Sequence, residues 1–183
     1  MATVVCLGEL LIDMVSETAD ASLPEATRFL KAPGGAPANV AVGLSRQGVA
    51  SAFVGAVGDD PFGEFLRATL DEENVDTNHL LSTRDARTSI AFVATRRDGK
   101  KDICFYRNPG ADAALRPEDI AKDLFNDARI FHCGSVTLSQ SPAREAQFEA
   151  AGRARDNRVL VSFDPNWRPS IWDDFELAHK LIW

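Results

Sequence analysis

One stretch concentrates the residues with chemical potential: Pro33-Gly34-Gly35-Ala36-Pro37-Ala38-Asn39-Val40-Ala41, followed by Gly48 and then by Gly55-Ala56-Val57-Gly58-Asp59-Asp60-Pro61-Phe62-Gly63. Two adjacent glycines ahead of a helix let a ligand approach the backbone closely and leave N–H groups free to donate. Asn39, one turn into that helix, brings both a donor and an acceptor. The glycines do not form a G-x-x-x-x-G-K-S/T phosphate loop, and Gly8, after the first apolar run, stands without a G-x-G-x-x-G pattern. A polar, glycine-lined pocket is the chemistry these residues define. Asp164 and Asn166 follow another apolar run, at the strand end where open α/β sheets bind ligands; fixing their loop is the alternative role.

Composition narrows the partners. With 27 acidic and 20 basic side chains the net charge is −7, which opposes nucleic acid and anionic lipid, and no basic patch offsets it. No segment approaches the roughly 20 apolar residues of a membrane span. The run Thr3 to Val15 has no basic leader and is interrupted by Glu9 and Asp13, so it reads as a strand rather than a signal peptide. Cys6, Cys104 and Cys133 are odd in number, widely separated and set among apolar neighbours, as expected of reduced thiols packed as small hydrophobes in a cytoplasmic protein. His79, His132 and His179 lack the spacing and company of metal ligands, and no metal site is expected.

The elements that must position the glycine stretch follow from periodicity. Short runs rich in Val, Ile and Phe alternate with longer alanine-rich stretches of helical period, the pattern of a mostly parallel sheet flanked by helices. The expected core strands are Val4–Leu7, Ala52–Val57, Arg129–Cys133 and Val159–Phe163. Pro37, Asp60-Pro61 and Ser141-Pro142 open helices where proline's missing N–H does no harm, and Gly48 closes the first. Thr88–Thr95 and Ile103–Arg107 read as strands joined by the turn Arg97-Asp98-Gly99-Lys100. With Leu11–Val15 this hairpin would form a small second sheet, a lid. Asp173–Trp183 reads as an amphipathic helix that finishes on Leu181-Ile182-Trp183 with no cap and no strand after it, so the architecture is expected to be incomplete.

The spacing Gly-Gly-x-Pro-x-Asn-x-Ala, then Gly48, then Gly58, resembles the first signature of the ribokinase-like, or pfkB, carbohydrate kinases, filled here by Gly34, Gly35, Pro37, Asn39, Ala41, Gly48 and Gly58. Within that family the chain is most similar to fructokinases, on Gly8-Glu9-Leu10-Leu11-Ile12-Asp13, Phe105-Tyr106-Arg107-Asn108-Pro109-Gly110-Ala111-Asp112, Phe131-His132-Cys133-Gly134-Ser135 and Ser162-Phe163-Asp164-Pro165-Asn166-Trp167-Arg168-Pro169. The resemblance implies one ribokinase-like α/β domain over residues 1–183, lacking its C-terminal part, with lid strands near 11–16 and 88–107 inserted in it.

It further implies ATP-dependent phosphorylation of a small sugar, fructose foremost, with Mg2+ as the accompanying ion. Asp13 matches the family's sugar-binding aspartate, and a carboxylate suits a pair of neighbouring hydroxyls. Gly34, Gly35 and Asn39 match the positions that supply backbone and amide hydrogen bonds to the sugar. Phe105 and Arg107 match lid residues that close over the substrate, and Arg168 matches an arginine near the substrate or the transferred phosphate. The family's second signature, a Gly-Ala-Gly-Asp run carrying the catalytic base and anion-binding amides, does not occur in the sequence. Gly110-Ala111-Asp112 lacks a glycine and opens no apolar helix, so no catalytic residue is expected here. Three alternatives stay open at this stage: a non-catalytic sugar-binding or interaction fragment, a kinase of another sugar such as 2-keto-3-deoxygluconate, and a homodimer formed through the lid.

Overall fold

A computed structural model describes residues 2–183. In chain order the first half contains β1 (Val4–Leu7), β2 (Leu11–Ser16), β3 (Phe29–Gly34), α1 (Ala36–Arg46), β4 (Ser51–Gly58), α2 (Pro61–Glu72) and β5 (Asp76–Thr83). The second half contains β6 (Ile90–Thr95), β7 (Lys101–Tyr106), β8 (Ile130–Gly134), α3 (Ser135–Leu138), α4 (Ala143–Asp156), β9 (Leu160–Asp164) and α5 (Phe175–Ile182).

A five-stranded sheet runs in the order β5-β4-β1-β8-β9, and every pairing in it is parallel. The four strands expected from the apolar runs all belong to it. Because side chains alternate across a strand, β1 feeds two cores. Val4 and Cys6 meet Ala38 and Ala41 of α1 and Leu66 and Leu70 of α2 on one face. Val5 and Leu7 meet Ala143, Ala146, Ala150 and Ala154 of α4 on the other. The alanine stripe at helical spacing lets α4 approach the sheet closely. β5 escaped the sequence reading because it is an edge strand, Asp76-Thr77-Asn78-His79-Leu80-Leu81-Ser82-Thr83, with one fully buried residue, Leu80.

The second sheet has four strands in the order β3-β2-β6-β7. It contains the expected hairpin and the expected continuation of β1, together with β3, which carries Pro33 and Gly34 and so did not read as a strand. β3 is an edge strand, where proline is tolerated. Residues 11, 13 and 15 of β2, 91, 93 and 95 of β6, and 101, 103 and 105 of β7 face inwards over a cleft. The opposite face carries Phe29, Phe92 and Tyr106, with ring centroids 5.2 Å apart for Phe29–Phe92 and 5.4 Å for Phe92–Tyr106. Cys104 belongs to this outer face and is exposed, unlike buried Cys6 and Cys133. The expectation that all three thiols are packed inside therefore fails for Cys104, because the alternation of β7 turns it outwards.

Asp60 ties the two sheets together beside α2. Asp60 caps α2, accepting from Phe62 N at 3.1 Å and Gly63 N at 2.9 Å, and also accepts from Thr88 N at 2.9 Å and Thr88 Oγ1 at 2.8 Å. Thr88 Oγ1 in turn accepts from Gly58 N at 3.0 Å. Lys31 Nζ, 3.5 Å from the Phe65 ring centroid, adds a second link from β3 to α2. Substituting Asp60 by Ala removes the cap and strands the Thr88 amide, an expected loss of about 2–4 kcal/mol from the two effects together. Urea unfolding checks it, and a loss below about 1 kcal/mol would show that the cap and tie are worth no more than a surface contact.

Candidate functional site

β1 ends at Leu7, and Gly8-Glu9-Leu10 carries the chain from the main sheet into the lid strand β2. β3 returns from the lid and passes into α1 through Gly35 alone. The registers Leu11↔Gly34 and Asp13↔Ala32 bring the glycine pair beside Asp13. A side chain at Gly34 would collide with the Asp13 carboxylate. One at Gly35, whose φ is +114°, would strike the Glu9 carbonyl. Close approach to backbone and the backbone angle both require glycine at position 35, whereas a side chain at position 34 would displace the Asp13 carboxylate.

The cleft between lid and main sheet has a volume of about 390 Å3 and lies over the C-terminal ends of β1, β8 and β9. Its size suits a small molecule. Of the residues singled out in the sequence, Asp13, Gly35, Asn39, Phe105 and Arg168 line it together. Gly34 is buried directly behind Asp13. Asn166, at the end of the loop after β9, also lines it; its amide is held by Asp164 Oδ1 at 2.9 Å, and the Ser135 hydroxyl donates to the Pro165 carbonyl. Asp164 therefore fixes the loop, while Asn166 reaches the cleft.

Arg107 lies elsewhere. It follows the last residue of β7, its side chain is 4% exposed, and its Nε donates to Asp112 Oδ2 at 2.6 Å while Nη1 donates to Ser139 Oγ at 2.9 Å. Asp112 also accepts from the Ser89 hydroxyl. Arg107 thus buttresses the base of the lid and does not line the cleft. The Asp112 carboxylate belongs to this buried pair.

The electrostatics are set by burial and by one lysine. Burial raises the Asp13 carboxyl above its ordinary value, and Lys101 on β7, which shares the cleft, pulls it back down. Glu9 is buried more deeply, and desolvation pushes its carboxyl up to about 7 against the lowering effect of the hydrogen bond from Ala36. The sequence reading named neither Glu9 nor Lys101 as a site residue. Lys101 was available from the period-2 alternation that places it two steps before Ile103 and four before Phe105. Glu9 was visible as a charge interrupting an apolar run, but its burial depends on how α1 packs. An acceptor carboxylate, a side-chain amide, an apolar ring and an arginine around one small cleft can hold and orient a polyhydroxylated molecule.

The pfkB family carbohydrate kinase model matches residues 1–182, and the chain belongs to that family. It is 46% identical over 179 residues to a probable fructokinase of Arabidopsis thaliana, covering 98% of this chain and 54% of the relative. It superposes with a TM-score of 0.92 and 37% identity on an uncharacterized sugar kinase from Pyrococcus horikoshii in complex with ATP, covering 98% of this chain and 58% of that one. A fructokinase double mutant from Vibrio cholerae, in a form bound to fructose, ADP and potassium ion, matches with a TM-score of 0.86 and 34% identity over 100% of this chain and 56% of that one. The chain spans about half the length of the curated relatives it matches. The ribokinase-like α/β fold with its small lid sheet is the fold of these sugar kinases. Among the described residues no helix is long and apolar enough to cross a membrane.

Burial of Glu9 makes stability depend on pH with a definite sign. Between its ordinary value of 4.5 and about 7 the folded chain keeps a proton that the unfolded chain has released. Stability is full below the lower value and falls as pH rises to the upper one, by on the order of 3 kcal/mol. Unfolding curves across this range for wild type and Glu9→Gln check it: the wild-type decline should flatten in the variant.

Proposed function

We propose that residues 1–183 form the sugar-binding portion of an ATP-dependent kinase of a small sugar, with fructose the foremost substrate. The observation that carries this reading is the convergence of Asp13, Gly35, Asn39, Phe105 and Arg168 on one 390 Å3 cleft under the lid. Asp13 accepts from two sugar hydroxyls, Gly34 lets it sit against the backbone, and Gly35 and Asn39 hold further hydroxyls. Phe105 closes an apolar wall and Arg168 caps the open side. The fructokinase names of the relatives and the fructose in the Vibrio cholerae structure support the choice of sugar.

ATP with Mg2+ is the proposed phosphoryl donor, and the ATP and ADP in the similar structures support the nucleotide. The glycine turn of this chain does not fit a triphosphate, since the Asp13 carboxylate and the Glu9 carbonyl face it. Among the described residues no group of three His, Cys, Asp or Glu could hold a metal ion. What these residues contribute is orientation of the sugar and exclusion of water, the main demands of phosphoryl transfer on the acceptor side. On its own the chain is proposed to bind sugar without transferring phosphate. The fold of Arg107 onto Asp112 and Ser139 removes it as a partner for the carboxylate of an acidic sugar such as 2-keto-3-deoxygluconate, which would have to pair with Arg168 or Lys101 instead.

Calorimetric titration with fructose tests the reading, alongside an ATP-consumption assay and an intact mass on the same sample. Fructose binding that Asp13→Ala weakens by about 10–100-fold, the range for hydrogen bonds to a charged group, is the expected result. Equal binding by wild type and the variant would remove Asp13 from the site. Turnover at a mass of 19.9 kDa would place catalysis within these residues and overturn the account.

A further inference from the structure

The groups assigned to the sugar leave one carboxyl of the cleft unexplained. Glu9 is 4% exposed and sits at the junction of β1 with β2. Its Oε1 accepts from Ala36 N, the first residue of α1, at 2.8 Å. Its own carbonyl packs against Gly35 so tightly that no side chain fits there. One residue therefore grips both sides of the glycine turn. Its other oxygen, Oε2, is buried with no hydrogen-bond partner. Satisfying the Ala36 amide accounts for Oε1 alone and leaves the buried Oε2 unexplained.

We propose that Glu9 is a positioning residue for the sugar: by holding the Ala36 amide it fixes the Gly34-Gly35 turn and the first turn of α1, and with them the groups of Gly35 and Asn39 that face the cleft. This rests on the sugar-binding reading above. Asn39 N donates to Gly35 O at 2.9 Å, so movement of the turn carries Asn39 with it.

The charged groups acting on Glu9 are Asp112 and Arg107 at the base of the lid, of opposite sign, and Asp13 shares its cleft. Burial outweighs them and keeps the carboxyl neutral below about 7. The neutral acid holds Ala36 N through Oε1 while Oε2 keeps the proton. Ionisation would leave a buried charged oxygen without a partner. The Ala36 bond by itself favours the charged form, but burial outweighs it, so ionisation favours opening of the turn to water and the neutral form keeps it closed; Gln keeps the acceptor without the charge.

The test combines amide NMR with fructose calorimetry on the 183-residue chain. The Ala36 amide resonance of wild type should titrate with a midpoint of about 7 and stay flat in Glu9→Gln. Wild-type fructose affinity should fall between about pH 6 and pH 8 while Glu9→Gln holds the low-pH affinity throughout. Glu9→Ala should bind about tenfold more weakly, as expected for one stranded amide. Equal affinity in wild type and Glu9→Ala, or parallel pH profiles in wild type and Glu9→Gln, would overturn the role of Glu9 and leave the sugar-binding reading intact. If Glu9→Ala does not fold, the two pH profiles decide. A wild-type chain that binds no sugar at any pH fails the sugar-binding reading, and the positioning role falls with it.

Discussion

Where the Gly35 backbone passes the Glu9 carbonyl, two chain segments meet with no side chain between them. The segments are the exit from the main sheet into the lid and the return from the lid into α1. Were either held a Cβ further away, Gly34 would no longer back Asp13 and α1 would not begin under the cleft. The Ala36 amide, taken by Glu9 at 2.8 Å, locks this approach with a hydrogen bond. The floor of the site is thus a junction between two sheets, and it exists because two glycines permit contact that other residues forbid.

Around that junction both signs of charge meet in the cleft. Asp13 of β2 and Lys101 of β7 lie on the same inward face of the lid sheet, Glu9 sits at the junction and the far loop brings Arg168. Arg107, adjacent in sequence to the lid's inward residues, is drawn instead into a buried pair with Asp112 and a bond to Ser139. A guanidinium so committed is rigid, and it fixes the base of the lid rather than meeting a ligand. Acceptors and donors set side by side on one face suit hydroxyl groups, which both donate and accept.

Much of this was legible in the sequence because it rests on local rules. The continuous apolar runs Val4–Leu7 and Ala52–Val57 mark strands buried on both faces, and prolines at 37 and 61 mark helix starts. The Arg97-Asp98-Gly99-Lys100 turn marks the hairpin. What was not legible depends on packing partners far away in sequence. β3 carries Pro33 and Gly34, residues that argue against a strand until an edge position excuses them. β5 is polar because only one face of an edge strand needs burial. Glu9 reads as a surface charge until α1 covers it, and Arg107 reads as a cleft residue until Asp112 is found within hydrogen-bond reach. The cysteines divide in the same way: Cys104 lies in an apolar run, yet the parity of β7 turns it outwards.

That parity has an evolutionary corollary. On β2, β6 and β7 the odd-numbered residues line the cleft, and the even-numbered Phe92, Cys104 and Tyr106 line the outer face. Losing or gaining one residue within any of these strands would exchange the two faces beyond that point, turning aromatic rings onto the cleft side and Lys101 or Phe105 away from it. The exposed turn from Arg96 to Lys100 carries no such constraint. Within the lid, changes of length are therefore tolerated in the connections between strands, the 96–100 turn among them, while the strands themselves can change by substitution alone.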